Sequence, residues 1–320
     1  MPEPDEIDEA LGTEATVVTP IMVECGLHYG VPFSEYCQWD AVNASLLCKL
    51  DEATPGHARS YQLGLGDTDT KPKKMGRLTH TALLEPKVFD ETVITLPADA
   101  PNRVPDNHRH AKKPSQATLD KIAFWDEWDA DPREKINPKD MELLQGMKRS
   151  VQRSQCRDYL LGGQSEVCIV WIDKPTGLLC KGRLDYLQQD GWGNAIISDI
   201  KTIAWFILEW RIKKVIFDLR YDIKAAFYVD GLKTILGATP HFVWHFVEKN
   251  PPAYYSKPYE MDEYTRHGGR TEYRRLLDQW AACVKRNDYP GPSAVAEVIQ
   301  LDEWQLARRG VSLHENLPPE

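Results

Sequence analysis

The sequence predicts a mixed α/β core, and three observations carry that expectation. Strand-like apolar runs follow one another at 165–172, 178–187 and 195–202, separated by turn-forming segments at 173–177 and 188–194. Helical periodicity brackets this meander on both sides. A further strand, 242–248, follows the next helical stretch and ends at Pro251-Pro252. Helices, a meander of strands, a helix and another strand are the parts of a layered α/β domain.

The elements follow in order. Residues 1–20 carry only acids among their charged side chains and are expected to be a disordered tail. A helical pattern runs over 36–61 and is interrupted at Pro55-Gly56. Residues 75–84 place Gly76, His80, Leu83 and Leu84 at helical spacing, and Pro86 stops that helix. The stretch 97–114, rich in Pro, Asn and His, reads as a long loop of the kind that often serves function. Helices are expected at 117–129 and 138–159, the second ending at Gly162-Gly163. After the meander, helical pattern resumes over 204–214 and 219–236, and a long polar helix covers 262–286. One domain is expected over 21–310, followed by a short tail at 311–320.

At 320 residues the chain is long enough to bury a large core. No run approaches the roughly 18 apolar residues of a membrane helix, so no membrane association and a cytoplasmic location are expected. Cys25, Cys37, Cys48, Cys156, Cys168, Cys180 and Cys283 are scattered and form no CxxC pair. That pattern argues for reduced thiols and against zinc, an iron–sulfur cluster or a disulfide framework. The net charge of -9 does not advertise a polyanion partner. Local basic stripes at 71–74, 108–113, 148–157, 211–214 and 274–286 leave one open, because phosphate affinity follows local charge.

Chemistry concentrates in the last two strands of the meander. Asp199 and Lys201, two residues apart on a strand, project to the same face. Folding the hairpin at 188–194 brings Asp185 beside Asp199. An Asp-x-Lys on a strand is ordinarily a surface ion pair. Here the flanking Ile196, Ile197 and Ile200 point to a buried strand, where an unpaired charge is costly. Two carboxylates and a lysine in one small volume suit magnesium-dependent phosphodiester hydrolysis, since magnesium is held by one or two carboxylates with water and substrate. The Ile200 carbonyl could add a third oxygen, and Lys201 could orient the attacking water or stabilise developing charge. Glu166 opens the first strand and could line the same cleft. His80, on the early helix, would be one more nitrogen near the metal, although a helical histidine is more often structural.

Gly76, His80, Leu83, Leu84, Glu85 and Pro86 resemble the "G-x-x-x-H-x-x-L-L-E-P" helix of the RecE-like exonucleases, the exodeoxyribonuclease VIII group of the PD-(D/E)xK nuclease superfamily. The resemblance continues through Glu166, Lys181-Gly182-Arg183-Leu184-Asp185, Ser198-Asp199-Ile200-Lys201-Thr202, residues 225–231 and residues 246–252, and covers about 27–305. It implies a restriction-endonuclease-like core with a central mixed β-sheet flanked by helices. It implies His80, Asp185 and Asp199 as metal ligands, beside the Ile200 carbonyl that the strand geometry offers, with magnesium (or manganese) as the ion. Lys201 is implied as the catalytic lysine, Glu166 as an acid at the edge of the site, and Tyr228, Lys224 and Arg183 as DNA contacts. Lys224 stands where the family usually has glutamine, which leaves the placement of substrate open. The implied activity is 5′-to-3′ degradation of duplex DNA ends, leaving a 3′ single strand for recombination in a bacterial or phage setting. A single-strand annealing protein and a ring-shaped homo-oligomer are the implied partners. A PD-(D/E)xK endonuclease, a single-strand exonuclease and a non-cleaving DNA-end-binding protein are the competing readings.

Overall fold

The computed structural model describes residues 23–65, 70–109, 113–190, 194–293, 295–296 and 298–312. The expected acidic tail over 1–20 and most of the 311–320 tail lie outside these residues. Eight strands are described: β1 (Gly26–His28), β2 (Val93–Thr95), β3 (Glu134–Ile136), β4 (Gln164–Ile172), β5 (Leu179–Gln189), β6 (Ala195–Ile203), β7 (His241–Glu248) and β8 (Ser256–Glu260). Six of them form one sheet in the order β1-β4-β5-β6-β7-β8, while β2 and β3 pair apart from it. Strands β4, β5 and β6 are the expected antiparallel meander. The β6–β7 pair is parallel, with Asp199 opposite Trp244 and Lys201 opposite Phe246. Joining them needs a crossover, which the helix Tyr221–Leu236 supplies. The sheet is therefore mixed.

Alternation along β6 sorts its side chains onto two buried faces. Ile197 and Ile203 join a core with the helices Ala44–Glu52, Tyr221–Leu236 and Glu263–Arg286. Ile200 joins a second core with the helices Lys71–Leu84 and Pro138–Arg153. With both faces covered, the polar residues between these isoleucines are carried into the interior by the strand period alone. No described helix is long and apolar enough to cross a membrane.

Several boundaries differ from expectation for physical reasons. Pro55 and Pro86 start helices, Pro55–Gln62 and Pro86–Thr92, because proline fits a first helical turn whose N–H needs no partner. The 138–159 helix breaks at Ser154, whose side chain accepts from Cys156 N–H and starts the 3₁₀ turn Gln155–Leu160. The expected helix 204–214 begins only at Glu209, since Ile207 N–H is held by the Glu248 carboxylate at 2.6 Å. Within the 97–114 loop lies a short helix, Asp106–Arg109. The edge strands β1 and β8 and the pair β2–β3 were not expected: each is only three to five residues long, too short for its period to register.

The long helix Glu263–Arg286 packs against Tyr221–Leu236 through Gly269, where a Cβ would lie 2.3 Å from the Asp222 carbonyl oxygen. Gly269→Ala is expected to lower stability by about 1–3 kcal/mol through overpacking. Neighbouring Gly268 meets nothing within 4 Å. There alanine is expected to be neutral or to stabilise by roughly 0.5–1 kcal/mol. Urea denaturation of both variants checks the pair, and equal midpoints would contradict this packing.

Candidate active site

Three acids occupy successive positions across three strands. The β4–β5 register pairs Ser165 with Tyr186 and Val167 with Leu184, which sets Glu166 opposite Asp185. The β5–β6 ladder stops at Tyr186 and Ser198, so Asp185 and Asp199 face each other just beyond its end. There the strands part, and the Asp185 carboxylate replaces a ladder carbonyl by accepting the Ile200 N–H at 2.7 Å. The expected approach of Asp185 to Asp199 thus follows from register, and a main-chain bond fixes it.

Asp199 is 9% exposed, and its Oδ2 lies 2.6 Å from Lys201 Nζ as a charge contact without an aligned hydrogen bond. Burial, and then the neighbouring Asp185 charge, push the Asp199 carboxyl above the usual carboxylate range despite the lysine. Burial alone would lower the Lys201 ammonium, but Asp199 and then Asp185 hold it above its ordinary value. Lys201 also lies 5.0 Å from the centre of the Tyr221 ring. Asp185 and Asp199 thus share Lys201 as their common ammonium neighbour.

The other expected residues are placed as follows. His80 reaches the site from the helix Lys71–Leu84: its Nε2 is 2.9 Å from the Ile200 carbonyl oxygen and its Nδ1 3.6 Å from Asp185 Oδ2. Among the described residues no three His, Cys, Asp or Glu side chains converge as a metal site. Because His80 and the Ile200 oxygen face each other, the expected four-member ligand set is not assembled as it stands. Glu166 adopts a left-handed backbone conformation (φ 53°), which is costly for a residue with a Cβ. Its carboxylate accepts from Arg183 Nε at 2.5 Å, and Arg183 Nη1 donates to the Val31 carbonyl at 2.8 Å. Burial, and then Asp185, raise the Glu166 carboxyl. Arg183 is thereby committed to Glu166 instead of standing free for DNA.

Lys224 and Tyr228 lie on the helix Tyr221–Leu236, which packs on the face bearing Asp199 and Lys201. Tyr221, Lys224 and Tyr228, spaced by three and four, form one stripe of that helix. Tyr228 is packed over Gly182 of β5, where a Cβ would come within 2.9 Å of its ring. Burial, and then the Asp199 charge, raise the Tyr228 phenol. Sequence reasoning missed Tyr221, although its helical spacing to Tyr228 is a readable signal. His245 was missed as well. It is fully buried on β7 opposite Ile200, neither ring nitrogen has a hydrogen-bond partner among the described residues, and burial lowers it to about 4. No sequence signal marks it, since a histidine inside an apolar strand looks like any core substitution.

The donor chemistry fits a divalent cation. Two carboxylates and a main-chain carbonyl are hard oxygens, and the Asp199 Oδ2 is buried without a hydrogen bond. A cation there would hold Asp199 ionised against the burial that raises it.

Fold and site together define a PD-(D/E)xK-type protein. A family model described as a PDDEXK-like domain of unknown function (DUF3799) matches residues 34–302, and the chain belongs to that family. Among solved structures, a candidate exonuclease from Eubacterium rectale superimposes with a TM-score of 0.53 at 10% identity, covering 87% of this chain and 91% of that one. At that identity the likeness speaks to fold alone. A second structure, SSO0001, covers 63% of this chain and 86% of its own at 15% identity, and its TM-score of 0.24 carries no argument. No curated protein matches the sequence.

Proposed function

We propose that the protein is a metal-dependent exonuclease that hydrolyses duplex DNA from its ends in the 5′-to-3′ direction, leaving a 3′ single strand. The observation that carries the nuclease reading is the grouping of Asp185, Asp199 and Lys201 around the end of the β5–β6 ladder. Membership of a PDDEXK-like family supports it. The choice of duplex ends and the polarity rest on the order His80, Glu166, Asp185, Asp199, Lys201, Tyr228 and its resemblance to RecE-like exonucleases. Recombination, an annealing-protein partner and a ring-shaped homo-oligomer rest on that resemblance too.

Asp185, Asp199 and the Ile200 carbonyl would hold magnesium, which supplies a Lewis acid for the phosphate and an activated water. Lys201, kept protonated by the two carboxylates, donates to the developing charge on the attacked phosphate. Tyr221 restricts where the ammonium can swing. Asp185 also fixes the Ile200 main chain by accepting its N–H, so one side chain sets both its own place and that of the carbonyl. Arg183 and the left-handed backbone aim Glu166 at the edge of this group.

Duplexes labelled at either the 5′ or the 3′ terminus test the polarity. Early release of the 5′ label is expected, and early release of the 3′ label would overturn the direction. Activity is expected to vanish with a chelator and return with magnesium or manganese. Calcium, which can fill an oxygen site with a looser geometry, is expected to restore DNA binding but not turnover. Full activity in chelator would contradict the metal reading.

A further inference from the structure

The segment that joins β6 to the helix Tyr221–Leu236 has no part in the chemistry above. Residues 204–220 leave the sheet directly after β6 and return at Tyr221, whose ring contacts Lys201. The segment is therefore rooted on both sides at the candidate catalytic lysine. It is held in place by Ile207 N–H on the Glu248 carboxylate and by the buried Ile212 and Val215. Yet Trp205, Phe206, Trp210 and Phe217 are between 53% and 67% exposed. No other described stretch of this length shows four exposed aromatic rings. Clustered apolar exposure of this kind marks a contact surface.

Charge argues for what covers it. The acids of the helix Glu209–Asp218 are already neutralised: Glu209 by Lys213 and Asp218 by Lys214, each at 2.6 Å. Arg211 makes no ion pair among the described residues and lies 5.0 Å over the Trp210 ring. Arg220 lies 5.5 Å over Phe217 and is ion-paired with Asp51 at 2.7 Å, which leaves Arg211 as the cation for a phosphate. Rings interleaved with cations and stripped of free acid suit a polyanion whose units have flat faces. Bases inside a duplex are stacked on one another and cannot offer those faces, whereas a single strand can.

We propose that Trp205, Phe206, Trp210 and Phe217 stack the unpaired bases of a DNA strand entering or leaving the cleft, with Arg211 on its phosphates. This rests on reading the cleft as a nucleic-acid site. It adds a single-stranded binding face that positions the strand without taking part in hydrolysis.

The test uses the full chain carrying Asp199→Asn, in calcium, so that binding is read without cleavage. Affinity for an oligothymidylate is measured by tryptophan quenching and by anisotropy of a labelled strand, beside a blunt-ended hairpin duplex. Trp210→Leu and Phe217→Leu are each expected to weaken oligothymidylate binding about tenfold, since each removes one ring on which a base would stack. The blunt duplex should change less, and Trp210→Phe should restore the affinity. The proposal is overturned if leucine binds as well as phenylalanine, or if both DNAs weaken equally. It is also overturned if the leucine variants keep their affinity and instead shift the mass by light scattering, which would give this face to a second copy of the chain. Melting temperatures identify any variant that fails to fold, and Trp205→Leu then serves in its place. Because no turnover is needed, an inactive wild-type enzyme would sink the exonuclease reading without deciding this one.

Discussion

Asp199→Asn is expected to lower DNA hydrolysis by about 1000-fold or more, equivalent to roughly 4 kcal/mol of lost transition-state stabilisation. The change keeps the size of a side chain that is 9% exposed, so it opens no cavity. It removes one of two adjacent carboxylates and with it an oxygen ligand for a cation. Lys201 keeps Asp185 nearby as a second counter-charge. Folding should therefore survive, with a melting temperature within a few degrees of wild type. The contrast to measure is a lost rate with a retained melt. Loss of both would point to a structural role for Asp199, and retention of both would exclude it from the chemistry.

Lys201→Met should cost about 100- to 1000-fold in turnover, in the range seen when one donor to a developing charge is removed. Methionine keeps much of the aliphatic stem against Tyr221 while deleting the ammonium. Asp185 and Asp199 are then left without their cation, so divalent-metal binding should be maintained or tightened. Calcium titration followed by thermal shift reads that directly. A variant with near wild-type kcat would remove Lys201 from the reaction. One that loses calcium binding as well would show that the lysine organises the carboxylates instead of acting on substrate.

Much of this site was legible because strand period and register are strict. A period of two puts Asp199 and Lys201 on one face whatever else the chain does, and the 188–194 turn leaves little choice in where Asp185 falls. The same logic placed Glu166 in the neighbouring strand, but it could not foresee the left-handed backbone or the Arg183 clamp. His80 reached the site as expected, against a carbonyl instead of beside it. That distinction depends on how a helix docks on the sheet and has no sequence period. Residues 204–208 read as helix because their composition allows it, whereas Glu248, far along the chain, captures the Ile207 N–H and delays the helix. Tertiary partners of this kind overrule local pattern, and the exposed aromatics of 204–220 became visible only once the structure showed which side chains are left uncovered.

Under the proposed function, the Asp185–Asp199–Lys201 group cuts DNA from its ends. The most direct measurement incubates linear and covalently closed circular duplexes of one sequence with magnesium and follows release of acid-soluble nucleotide. Wild-type protein should consume the linear DNA and leave the circle intact, and Asp199→Asn should consume neither. Cutting of the closed circle, or digestion of the linear duplex by Asp199→Asn at the wild-type rate, would contradict it.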